Sequence, residues 1–245
     1  MKTVKSLGRM FGNGTQPWYM KDDPWSDLSS CDPYVIQHHD MRNKFMAEYQ
    51  LDEFGFRQAN GLDSKLWFFG CSITFGEALP VTGIYPELLS RALQTSHYNF
   101  GTPGASVELI ARLLFKLRAQ LKDHTIVILL PPPDRYETIV GNQFHSMVPT
   151  NDRYMDFLPM NEIDGHMRHR CMMAIMMISS LLAGCKHYIF TYSTYDSTSY
   201  EDFVKQLAAH PVPVDLIIDS AADNSHFGPL THARLAEYML PYIDI

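Results

Sequence analysis

No stretch of this sequence is both basic and long: 20 lysines and arginines are outnumbered by 27 aspartates and glutamates, for a net charge of −7. A surface that neutralises a run of phosphates is therefore not indicated, and nucleic acid is not an expected partner. Long apolar runs are also missing. The most lipid-like segment, Cys171 to Ala183, falls short of the roughly 20 residues that cross a bilayer, so it reads as a buried helix and no membrane span is expected. Gly12 and Gly14 interrupt the N-terminus before any apolar stretch of signal-peptide length, which points to a cytoplasmic setting. The four cysteines, Cys31, Cys71, Cys171 and Cys185, form no CxxC pair, which argues for reduced thiols rather than a zinc knuckle or a redox dithiol. His38, His39, His166 and His169 have no carboxylate or thiol at a spacing that completes a ligand set, so no metal is expected. Without GxxxxGK[ST] or GxGxxG, a nucleotide or flavin binder is disfavoured and no cofactor is expected.

What is there is a chain with 46% apolar residues, ample for one globular core. Residues 1–60 scatter Trp18, Tyr19, Trp25 and Tyr34 among Asp, Pro, Ser and Gly without a sustained period, and read as an aromatic-rich arm packed on a domain spanning 61–245. Within that domain short apolar runs alternate with longer amphipathic stretches, the pattern of βαβ units. Strands are expected at 66–71, 97–101, 125–131, 187–193 and 214–219, each apolar enough to be covered on both faces. Helices are expected in the gaps. Leu109, Ile110, Leu113, Leu114, Leu117 and Leu121 form one stripe, and Pro86 suits a first turn. Gly165 to Ala183 reads as a helix whose methionines fill the core, and a last helix runs from about Pro229 to Leu240. The expected fold is a three-layer α/β/α sandwich on a five-stranded parallel sheet of flavodoxin-like order. Residues 138–164 would then be a long lid or specificity loop, with Phe144, His145, Arg153, Tyr154 and Phe157 available to line a pocket.

In such sheets the ligand crevice lies outside the carboxyl ends of the strands, and the chemically suggestive residues cluster there. Gly70-Cys71-Ser72 follows the first strand, Asn99-x-Gly101-x-x-Gly104 the second, and Asp223-x-x-His226 the last. Together, and in this order, these blocks resemble those of the SGNH/GDSL hydrolases over about Leu66 to Leu240; Asp-Glu-Phe-Gly-Phe-Arg at 52–57 is similar to a lead-in seen in some members. The resemblance implies a serine esterase acting on a small-molecule or glycan ester, or on a lipid, with Ser72 as nucleophile, His226 as base and Asp223 orienting it. Two departures stand out. Cys71 replaces the usual aspartate, and Pro131-Pro132-Pro133-Asp134-Arg135 stands where the family offers an asparagine to the oxyanion hole.

The physical logic agrees. A serine hydroxyl attacks only when an imidazole takes its proton, and the imidazole needs a carboxylate to fix its tautomer. For the oxyanion, backbone donors at Ser72 and Gly101 are expected, with Asn99 and Arg135 beside them as substrate or oxyanion contacts. Other readings of these residues stay open. Ser72 could be an N-cap, Asn99 and Gly101 turn formers, Arg135 the ion-pair partner of Glu137, and Cys71 the true nucleophile. A non-catalytic binding module of the same fold is the rival to the esterase.

Overall fold

The computed structural model of the chain describes residues 2–4, 34–40, 45–52, 55–57, 61–133, 135–140, 143–147, 160–192, 207–221 and 226–245. Its strands are β1 (Lys2–Val4), β2 (Tyr34–Asp40), β3 (Phe45–Gln50), β4 (Leu66–Phe69), β5 (His97–Asn99), β6 (Thr125–Leu130), β7 (Tyr136–Val140), β8 (Gln143–Met147), β9 (His187–Tyr192) and β10 (His210–Val212). Its α-helices are α1 (Ser72–Phe75), α2 (Tyr85–Ala92), α3 (Val107–Lys116), α4 (Met160–Leu181) and α5 (Pro229–Met239). None of the described helices is long and apolar enough to cross a membrane.

The central sheet has the order β5-β4-β6-β9-β10 with every pair parallel, the flavodoxin-like order expected. Side-chain alternation along its strands builds two cores. Trp67, Phe69, Ile126 and Ile128 pack with α3 and α4, whereas Leu66, Phe68, Val127 and Leu129 pack with α2 and α5. Helices thus cover both faces, which makes the three-layer α/β/α sandwich. Ser106 starts α3 by accepting the Leu109 N–H at 3.2 Å, and Pro86 stands in the first turn of α2.

Three expectations need correction. The fifth strand is at 210–212 rather than 214–219; the later run opens as a 3-10 turn, Val214–Leu216, and leaves Val214, Ile217 and Ile218 exposed. β10 is an edge strand, so it tolerates Pro211, and apolar content beyond the rim no longer reports two-sided burial. The supposed loop at 138–164 begins as the antiparallel hairpin β7–β8 and ends inside α4; Arg153, Tyr154 and Phe157 lie outside the described residues. Met173, Met176 and Met177 face outward on α4, leaving Cys171, Ala174, Ile175 and Ile178 to fill the core there. The arm holds a sheet of its own, in which β2 pairs with β1 in parallel and with β3 antiparallel.

Candidate active site

β4 lies between β5 and β6, and the chain leaves it by α1 and α2 on one face, while the next crossover, α3, runs on the other. Ser72 therefore opens above the point where the winding reverses, where open α/β sheets leave a crevice. α1 is a single turn, and Ser72 at its start is 4% exposed. Gly76 ends it in a left-handed conformation (φ 79°), donating to Ser72 O at 2.8 Å, and Glu77 N–H donates to the same carbonyl at 3.0 Å.

Arg57, the last residue of the 52–57 lead-in, proves to be part of this turn's foundation. Arg57, 2% exposed, donates through Nη1 to Phe75 O (2.7 Å) and Gly76 O (2.6 Å) and through Nη2 to Leu79 O (2.5 Å). No acidic side chain pairs with it among the described residues; the rings of Tyr49 and Phe75 flank it, with centroids 5.0 and 5.4 Å from Cζ. Burial lowers its pKa to about 10, partly countered by Tyr49, so the guanidinium remains charged at neutral pH. Carbonyls at a helix C-terminus are the natural partners of such a cation. Tyr49 adds its hydroxyl as acceptor for Ala78 N–H at 2.6 Å.

Asn99 and Gly101 sit against the same turn, but in roles that correct the expectation. Asn99 is buried, donates through Nδ2 to Thr74 O at 2.8 Å and accepts the Gly101 N–H on Oδ1 at 2.8 Å. Gly101 thus spends its N–H inward and is not a free oxyanion donor. Its glycine identity serves packing, because a Cβ there would stand 2.3 Å from Phe75 N.

His226 is brought to the turn from the other end of the chain. A bridge between Ser220 and Phe227, with Ala221 N–H donating to His226 O (2.7 Å) and Gly228 N–H to Asp219 O (3.1 Å), closes the loop that carries it. Its Nε2 lies 3.3 Å from Glu77 Oε2. Asp223, the expected orienting carboxylate, lies outside the described residues. Asp219 anchors the loop by accepting from Leu230 N (2.9 Å), Thr231 N (2.7 Å) and Thr231 Oγ1 (2.6 Å) at the start of α5. Burial works against that carboxylate, yet the hydrogen bonds from Thr231 and Leu230 hold it below its ordinary range. His232 of α5, also buried, accepts Tyr85 N–H on Nδ1 at 3.0 Å and so caps α2. Its pKa is lowered to about 3, first by burial and then by Arg57.

Arg135 does not pair with Glu137. That carboxylate belongs to Arg112, whose Nη2 and Nε donate at 2.6 and 3.2 Å, and burial raises its pKa against the pull of Arg112. Arg135 Nη1 is buried without a hydrogen-bond partner. Glu77, Arg57 and His232 are the site residues that sequence reasoning missed. Only the 52–57 lead-in gave a signal, and it assigned Arg57 no task.

No protein-family model matches the chain, and no curated protein sequence does. Among solved structures it is similar to a carbohydrate esterase family 2 enzyme with its carbohydrate-binding domain from Corynascus thermopiles, at 15% identity and a TM-score of 0.48 over 81% of this chain and 70% of that one. It is also similar to an aryl esterase of M. smegmatis (11%, TM-score 0.45, 72% and 96% of the two chains). A carbohydrate acetylesterase from Sinorhizobium meliloti gives 12%, TM-score 0.46, and 72% and 96%. At these identities the likeness is one of fold alone.

Proposed function

We propose that the protein is a serine hydrolase that cleaves an ester, an acyl or acetyl group on a carbohydrate, lipid or other small molecule, without a cofactor. The observation that carries this reading is the meeting of His226 with the Ser72 turn, through Glu77, at the sheet's reversal point. Ser72 Oγ attacks the carbonyl carbon as its proton passes to the His226 imidazole, and the tetrahedral oxyanion collapses when the imidazolium returns that proton to the leaving alkoxide. Water repeats the sequence on the acyl-enzyme. Asp223 orients the imidazole in this scheme, and the Ser72 N–H and the Arg135 guanidinium replace the missing asparagine in stabilising the oxyanion.

A binding module without catalysis is the second reading. It is favoured by the engaged Gly101 N–H and by Pro131–Pro133 standing where an oxyanion asparagine is usual. A fluorophosphonate probe followed by peptide mapping separates the two. Label on Ser72, lost in Ser72→Ala and in His226→Ala, is the expected result; a parent protein that takes up no label at Ser72 ends the hydrolase reading.

A further inference from the structure

We propose that Glu77 is a positioning residue for His226, tying the base to the serine it serves; this rests on the roles given above to Ser72 and His226. Glu77 is linked to both. Its N–H donates to Ser72 O at 3.0 Å and its Oε2 lies 3.3 Å from His226 Nε2. The left-handed Gly76 just before it turns the chain back on α1, so that carbonyl and carboxylate belong to one rigid segment that Arg57 grips from below. The side chains of Glu77 and His226 are 12% and 23% exposed, shielded enough for their charges to be felt.

A carboxylate at this distance favours the protonated imidazole, so Glu77 raises the proton affinity of His226 and steadies the imidazolium formed when Ser72 is deprotonated. Among the described residues another titratable group is coupled to the ring, His232. It lies on α5 and stays neutral above about pH 3, chiefly through burial, with Arg57 and then Asp219 acting on it. Glu77 thus acts on His226 from the turn that carries Ser72.

The test is an NMR titration of the His226 ring, assigned with His226→Gln, alongside the pH dependence of fluorophosphonate labelling at Ser72, in the parent, Glu77→Gln and Glu77→Asp. In Glu77→Gln the His226 midpoint should fall by about one pH unit, and the acid limb of the labelling rate should fall with it. Labelling at the plateau should slow several-fold, and Glu77→Asp should recover part of both changes. A His226 midpoint unmoved in Glu77→Gln, with a thermal midpoint matching the parent, overturns the proposal whether or not Ser72 reacts. A midpoint that moves in a protein never labelled at Ser72 keeps the link between Glu77 and His226 and removes the hydrolase reading instead. Should Glu77→Gln fail to fold, Glu77→Asp decides alone, because its shorter reach must lower the midpoint.

Discussion

The turn that carries Ser72 is gripped from beneath by Arg57, Asn99 and Tyr49, all of them buried, whereas among the described residues the loop that carries His226 is held at its base by the Ser220–Phe227 bridge and by backbone bonds at Ala221 and Gly228. Interior bonds to carbonyls leave the turn no alternative arrangement, since releasing it would strand buried acceptors. Asp219 ties the start of the loop to the start of α5. Ser72, the proposed nucleophile, is thus immobilised by the fold, while His226, the proposed base, is held near its turn by local contacts, among them Glu77. His232 joins the two regions, because it belongs to the helix after the loop and caps the helix after the turn.

Breaking the turn should have the largest effect. Arg57→Met removes three hydrogen bonds to buried carbonyls and should cost about 3 kcal/mol or more, read as a fall in the urea midpoint, with Ser72 labelling lost in the molecules that remain folded. A loss below about 1 kcal/mol would mean that the turn stands without its cation.

Acid attacks the joint between the two regions. Burial lowers His232 to about 3 and His97 to about 4, whereas in the unfolded chain both take a proton near 6.5. Below pH 6.5 the unfolded state binds more protons, so stability is complete above that pH and declines as pH falls toward the folded values. The slope is at most about 1.4 kcal/mol per pH unit for each histidine. Urea melts at pH 7.5, 6 and 5 should show the decline. His232→Asn, which keeps an acceptor for Tyr85 N–H, should reduce it, and an unchanged slope in that variant would remove His232 from the account. His97, with neither ring nitrogen hydrogen-bonded, should accept an apolar replacement such as Leu with little loss of stability.

Loosening the loop should cost less. Asp219→Ala removes the acceptor that starts α5, worth about 1 kcal/mol. If the loop delivers the base as inferred, labelling of Ser72 should suffer more than that loss of stability explains. Equal small losses in both would place the anchoring of His226 elsewhere.

How much of this is legible in the sequence depends on whether a contact is local. The run at 125–130 reads as a strand because both its faces are buried, and all six residues are. The run at 214–219 misleads because it lies at the sheet's rim, where apolar residues are not covered. Short motifs mark where Ser72 and His226 stand, one at the turn after β4 and the other beside Glu77, but not what they do. Asn99 and Gly101 are found in the right place, but their bonds to Thr74 and to each other depend on how closely β5 approaches α1, which no spacing states. Arg57 meets carbonyls 18 to 22 residues away, and His232 caps a helix 147 residues earlier; periodicity carries no trace of either.

The smallest effect is expected where the sequence departs most visibly from the family pattern. Cys71 is 1% exposed, packs with Ala105 and Leu109, and occupies the N-cap of α1 without contributing a side-chain bond. In Cys71→Ser a hydroxyl is buried, at a cost of about 1 to 3 kcal/mol if left unpaired. The same hydroxyl stands at an N-cap, where accepting a backbone N–H removes most of that cost, so the net change should be about 1 kcal/mol or less. Labelling should remain on Ser72 at nearly the parent rate, because the thiol points into the α3 core rather than toward the crevice. The experiment also tests the competing nucleophile. If Cys71→Ser abolished labelling while Ser72→Ala kept it, the thiol would be the attacking group, and the grip of Arg57 and Asn99 on the turn would have to be read as serving Cys71.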